Sequence, residues 1–292
     1  MTPDLFDRAL LARARSRAFR NQSLPSCDFL LRHVTQDVVD RLSLITREFE
    51  QAFNYGAHLP FTTDLLKRGG QVKRVISSDH VLELAQQFSP PAVVANEEFF
   101  PFQTGRFDLI VSLLQLQWIN DLPGALHQIR KGLKDDGVFI AATLGGDSLC
   151  ELRHCLIAAE EALYGGSGAR VAPFADVRDL GHLLQRAEFS LPVTDRDVLT
   201  VRYQTVWDLM ADLRAMGAAN VLRSRPRRPV SRRFFNKVND LYREQFSDED
   251  GRLRATFEII YLMGWAPHPD QQKPLRPGSG AVSLTDVFEK KK

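Results

Sequence analysis

The stretch Phe107-Asp108-Leu109-Ile110-Val111-Ser112, with Trp118-Ile119-Asn120-Asp121-Leu122-Pro123 after it and Leu133-Lys134-Asp135-Asp136-Gly137-Val138-Phe139-Ile140 further on, decides the fold. A short apolar run bounded by Gly105 and Ser112 suits a buried strand. Leu126, Ile129 and Leu133 recur at i, i+3 and i+7, which predicts a helix over residues 123–133. Asp121 stands where it would cap that helix. The run Lys134-Asp135-Asp136-Gly137 reads as a turn into a second buried strand over 138–143. Strand, crossover helix and strand at this length make a βαβ unit. Such units build parallel sheets, and their ligands sit beyond the strand C-termini. Chemistry is therefore expected near residues 112–118 and 144–148.

The 292-residue chain is 44% apolar and 25% charged, the composition of a globular protein with a sizeable core. With 38 basic and 36 acidic residues, its net charge of +2 gives no ground for nucleic-acid binding. No apolar run reaches the roughly 18 residues of a membrane span. Cys27, Cys150 and Cys155 form no Cys-x-x-Cys pair and read as three small buried hydrophobes. No apolar core of a signal peptide is visible, and Asp4 and Asp7 interrupt the Arg-rich start. A bacterial cytoplasmic protein is the expectation, with peripheral contact at the inner membrane as a further option.

Outward from the central unit, residues 5–20 read as a basic amphipathic helix, solvated on one side and packed on the main domain. A second helix over 26–41 has Ser26 or Asp28 as its cap. Val72, Val75 and Ile76 mark a strand ending near Asp79, and residues 92–95 a short one. Helices are expected over 81–88, 176–187 and 205–216, and strands over 193–201 and 256–263. Arg223, Arg225, Arg227, Arg228, Arg232 and Arg233 crowd an inserted segment. That cluster reads as a solvated basic loop or as a contact for an acidic or membrane surface; nucleic acid ranks last, because no aromatics interleave it.

Three blocks carry a resemblance: Glu97-Glu98-Phe99-Phe100-Pro101-Phe102, the run 107–123 with its Leu-Gln-Trp-Ile-Asn-Asp-Leu-Pro, and 133–149 with its Leu-Gly-Gly-Asp-Ser-Leu. They resemble the class I S-adenosylmethionine (SAM) methyltransferases. Within these, the chain resembles the mitochondrial complex I assembly factors described as arginine hydroxylases, with their alphaproteobacterial homologues. The malonyl-carrier-protein methyltransferases of biotin synthesis are more distant. The resemblance runs from about residue 6 to 288. It implies a Rossmann-like α/β fold with a seven-stranded, mostly parallel sheet, an antiparallel last strand and helical insertions. The implied division is N-terminal helices over 1–48, a methyltransferase-like domain over 49–265 with insertions at 148–190 and 204–250, and an extended tail over 266–292.

The resemblance also implies a cofactor set: Asn54, Gly56, Asp79, Asn96 and Glu97. The family has an acidic residue and Gly-x-Gly-x-Gly opening a helix at 54–60. Here the sequence is Asn54-Tyr55-Gly56-Ala57-His58-Leu59-Pro60. Glycines let backbone approach a ligand, and the helix N-terminus offers donors. His58 and Pro60 replace two of them and are expected to crowd the hollow. Asn54 lacks the carboxylate. Weak or lost SAM binding follows. Asp79 keeps the carboxylate that suits two ribose hydroxyls, although it reads equally as a helix cap. Glu97 and Glu98, taken alone, read as solvated carboxylates. Substrate-side candidates are Gln117, where relatives often carry His, Trp118, Gly145, Gly146 and Asp147. Trp118 reads also as core, and 145–148 as a turn with a cap.

No nucleophile elbow, phosphate loop or dinucleotide fingerprint is present, and His268-Pro269-Asp270 has no second His beside it, so no metal set is expected. Two functions remain open. One is an enzyme that uses SAM to modify a protein or small molecule. The other is a non-catalytic scaffold of the same fold that binds a subunit of the respiratory NADH dehydrogenase.

Overall fold

The computed structural model describes residues 4–21, 28–227 and 229–271. Seven strands form one sheet: β1 (Phe49–Asn54), β2 (Val72–Asp79), β3 (Ala92–Val94), β4 (Phe107–Leu113), β5 (Leu133–Leu144), β6 (Ser190–Tyr203) and β7 (Leu253–Trp265). Their order is β3-β2-β1-β4-β5-β7-β6. The first five run parallel, and β7 lies antiparallel between β5 and β6. This is the doubly wound sheet with an antiparallel last strand that the sequence led us to expect.

All seven residues of β4 are buried, which is why it reads as one apolar run rather than an alternating one. Its two interior polar groups are satisfied. Asp108 accepts from the Gln51 amide and the Lys134 ammonium, each at 3.0 Å, and Ser112 Oγ donates to the Tyr55 carbonyl at 3.1 Å. The expected turn at Lys134–Gly137 is instead a bulge inside β5: Phe107 pairs with Leu133, but Leu109 with Val138, and Asp136 has φ +59°. β6 and β7 are longer than the apolar runs suggested, because twelve residue pairs of their antiparallel ladder extend past the β-branched core.

Helices cover two cores. One core packs α2 (Phe29–Ser43), α3 (Pro60–Arg68), α6 (Cys150–Tyr164), α8 (Val206–Ala215) and α9 (Arg232–Phe246) on the sheet. The other packs α5 (Leu122–Gly132) and α7 (Val177–Arg186). Asp121 caps α5 through the Gly124 amide at 3.0 Å, Asp176 caps α7, and Thr205 opens α8 with a reciprocal capping box. Two expected caps fail. Asp28 makes no capping bond to α2 and pairs instead with Arg32, and Ser26 lies outside the described residues. α6 begins at Leu149 in the left-handed region (φ +55°), without a side-chain cap from Asp147 or Ser148. Cys155 is buried, Cys150 is exposed, and Cys27 lies outside the described residues.

The remaining helices are the short α4 (Leu82–Ala85) and α1 (Arg8–Arg20). α1 is not merely a solvated helix on the surface. Leu11, Arg15 and Ala18, at i, i+4 and i+7, are its buried face. The segment before it is tied down at both sides. Asn120 gives its carbonyl to the Phe6 amide at 2.7 Å and its amide to the Phe6 carbonyl at 3.3 Å. Phe6 bridges Leu222 across a short antiparallel contact and meets Trp118 edge-on at 5.6 Å. Arg223 and Arg225 of the basic cluster pair with Asp4 and Asp7, so part of that cluster anchors the N-terminal segment. Among the described residues no helix is long and apolar enough to cross a membrane.

Candidate functional site

β1 delivers Asn54 to the C-terminal edge of the sheet, and the chain turns through Gly56 and His58 into α3. Gly56 has φ +72° and His58 φ +58°, so both lie in the left-handed region, which costs a non-glycine residue about 1 kcal/mol. Pro60 is the first residue of α3, where its missing N–H is no loss. The His58 side chain reaches within 4.0 Å of Asp79 Oδ2.

Asn54 is wholly buried and spends its amide on α3, donating to Thr62 Oγ1 at 2.9 Å and Thr63 Oγ1 at 3.1 Å. Asp79 ends β2 and is also wholly buried. Its Oδ1 accepts from the Val81 amide at 2.8 Å, and its Oδ2 has no hydrogen-bond partner among the described residues. Asn96 is exposed and holds the Glu98 amide at 3.1 Å in a local turn.

Glu97 is not a solvated carboxylate. It is fully buried, paired with Arg8, and sits 3.2 Å from His80 Nδ1. The motif around it explains why. Phe100 and Phe102 lock edge-on against Phe53 and Phe107, and the Tyr55 hydroxyl donates to the Glu97 carbonyl. Burial alone would push the Glu97 carboxyl upward, but the His80 hydrogen bond and the charges of His80, Arg8 and Arg15 bring it down to about 2.

The residue that organises the cluster is Arg15, which the sequence did not single out. It is 3% exposed and donates to Gln115 Oε1 at 2.6 Å. Its Nη1 lies 3.4 Å from His80 Nδ1, and its charge faces Asp79 and Glu97. Burial lowers its pKa to about 10, which still leaves it charged at neutral pH. Burial raises Asp79 despite Arg15, and burial with Arg15 repulsion holds His58 well below its usual value, as neutral imidazole. Two arginines therefore answer two carboxylates inside one buried network. Asp79, His80 and Glu97 could by themselves offer ligand atoms to a cation, all within 4.8 Å of one another. Arg8 and Arg15 already balance that charge, so a cation would have to displace them.

The same geometry tests the cofactor. A Cβ added to Gly56 would meet the Gln115 side chain at 2.5 Å, so Gln115 packs directly against that glycine. Arg15 and His58 occupy the side facing Asp79.

A cavity of about 470 Å³ opens beside this network, over the C-terminal edge of the sheet. Gln117 and Trp118 line it, as does His58. Gln117 is held by the Leu114 carbonyl at 2.8 Å and by Thr143 Oγ1 at 3.0 Å; Trp118 is 7% exposed and also part of the core. Gly145, Gly146 and Asp147 do not line it. Gly145 leaves room for the Glu258 carboxylate, which accepts from the Asp147 amide at 2.8 Å, and the Asp147 side chain points outward. The chain thus gathers Asn54, Gly56, Asp79 and Glu97 with Gln117 and Trp118, and leaves Asn96 and 145–147 apart.

Strand order and an acidic residue ending β2 define a class I methyltransferase fold. Residues 56–141 match the family described as Methyltransferase domain. The YcgJ protein of Bacillus subtilis is a structural neighbour at TM-score 0.54 and 12% identity, covering 81% of this chain and 99% of its own. More specifically, the mitochondrial arginine-hydroxylase NDUFAF5 of Mus musculus is 38% identical over 97% of this chain and 84% of its own length. The malonyl-(acyl-carrier protein) O-methyltransferase of Methylovorus sp. is 31% identical over 98% of this chain and its full length. The chain belongs to the family of the arginine-hydroxylase NDUFAF5, with the malonyl-(acyl-carrier protein) methyltransferases as more distant kin.

Proposed function

We propose that this chain is a protein-directed member of its family that engages a subunit of respiratory complex I without holding SAM tightly. It works in the bacterial cytoplasm, at the membrane face where that complex is built. The observation that carries the reading is the buried Arg15–Asp79–Glu97 network, with Gln115 laid over Gly56. On this reading the guanidinium of Arg15 and the ring of His58 take up the space beside Asp79. The whole-chain kinship to NDUFAF5 supports the choice of partner, and the exposed Arg227, Arg232 and Arg233 offer a surface for it.

A second reading, a working SAM enzyme, is favoured by one observation. Asp79 Oδ2 is a buried acceptor without a donor, and a ribose hydroxyl is the donor that this position ordinarily takes in the fold.

The test is genetic and physical together. Tagged protein is captured, after mild crosslinking, from cells whose own copy is deleted. Recovery of an NADH dehydrogenase subunit is expected, with complex I activity restored equally by the wild type and by Asp79→Asn. Failure to recover any such subunit would contradict the partner. Rescue lost in an Asp79→Asn protein that accumulates normally would favour the SAM enzyme.

A further inference from the structure

The cavity beside the buried network has a chemistry of its own. Leu149, just before α6, and Leu152 and Leu156 of α6 form one wall, and Met210 and Leu213 of α8 another. Phe174, Phe235 and Phe257 add aromatic surface. The volume of about 470 Å³ falls in the range of roughly 300–1,000 Å³ typical of small-molecule sites. A lining this apolar favours a hydrocarbon or ring system over a hydrated polar chain.

The charged groups around it are of one sign. They are Arg15, Arg17, Arg170 and Arg214, against a single Asp28. Most are already answered. Asp28 pairs with Arg32 at 2.6 Å and Arg170 with Glu160 at 2.6 Å, while Arg15 is buried, bonded to Gln115 and faced by the charges of Asp79 and Glu97. Arg17 of α1 and Arg214 of α8 remain. Both are exposed while lining the cavity, so they stand at its mouth, and neither forms an ion pair among the described residues. A guanidinium offers a planar fork that suits a carboxylate better than any neutral head group.

We propose that this cavity binds a small anionic amphiphile: an apolar body seated between α6 and α8, with a carboxylate held at the mouth by Arg17 and Arg214. The proposal goes beyond the partner reading and stands independently of it.

The test uses the full chain and three probes of equal chain length, dodecanoate, dodecanol and dodecylammonium, titrated below their micellar concentrations by calorimetry. Dodecanoate should bind at one site with micromolar affinity. Dodecanol should bind at least about ten-fold more weakly, the loss of one charge-assisted contact, and dodecylammonium should show no saturable binding. Arg17→Glu with Arg214→Glu should cost dodecanoate at least about ten-fold and leave the melting temperature unchanged, since both side chains are exposed. Leu213→Trp, which fills the cavity, should abolish both the acid and the alcohol. No binding of dodecanoate at millimolar concentration would overturn the proposal. So would equal affinity for the three probes, or a charge-reversed variant that binds dodecanoate as the wild type does.

Discussion

Replacing Arg15 by methionine removes one charge from the centre of the buried network while keeping a side chain of similar length. Asp79 and Glu97 are both wholly buried, so each depends on the guanidinium for compensation. Arg15 acts on both carboxylates through its charge rather than a direct ion pair, so the about 3–5 kcal/mol lost on breaking a buried ion pair from one side is an upper bound. Arg8 and His80 still face Glu97, which puts the cost near the lower end, about 3 kcal/mol. For a chain this long, about 2 °C per kcal/mol lowers the melting temperature by roughly 6 °C. Thermal unfolding followed by circular dichroism at pH 7.5 reads it directly. Arg13→Met, on the exposed side of α1, is the control and should stay within about 0.5 kcal/mol. Adding Asp79→Asn to Arg15→Met should return part of the loss, because the neutral amide no longer needs the missing cation. An Arg15→Met protein melting within about 1 °C of wild type, or a double variant whose losses simply add, would refute the reasoning.

Three further outcomes follow from the same geometry. Glu97 sits at about 2 when folded against an ordinary 4.5, so its stabilisation is complete above pH 4.5 and is lost as pH falls toward 2. Glu97→Gln should remove about 3 kcal/mol at neutral pH and flatten that acid limb in urea titrations. His58 takes its proton later in the folded state than in the unfolded state, so the wild type loses up to about 1 kcal/mol per pH unit below pH 6.5. His58→Asn, which tolerates φ +58°, should abolish that slope in the same titrations. Gly56→Ala combines a left-handed backbone with a 2.5 Å approach to Gln115, and its denaturant midpoint should fall by the equivalent of about 2 kcal/mol.

Much of this arrangement was legible in the sequence, for physical reasons that differ by element. The buried strand β4, helix α5 and strand β5 declared themselves because burial on both faces forces continuous apolar runs, and the crossover helix must show its own period. The bulge at Lys134–Gly137 did not, since a turn and a bulge use the same glycine and aspartate chemistry. Glu97 was misread because a carboxylate next to another carboxylate looks solvated until its partners are known. Those partners, Arg8 and His80, lie 89 and 17 positions away in sequence. Arg15 was missed for a related reason, although a signal existed. It shares the i, i+4, i+7 stripe of α1 with Leu11 and Ala18, so an arginine stood on the apolar face. Pro60 opens α3, a place its fixed φ and missing N–H suit, which the glycine pattern alone did not indicate. The cavity and its arginine mouth could not be read, since they draw on α1, α6, α8 and β7 together.

In the proposed reading, the chain's own Arg15, Gln115 and His58 take up the space beside Gly56 and Asp79. A calorimetric titration of SAM into the full-length protein at pH 7.5 tests it most directly. The expected result is no saturable heat up to about 1 mM ligand, a binding free energy weaker than about −4 kcal/mol. A single-site micromolar isotherm, abolished by Asp79→Ala in a protein that still folds, would contradict it.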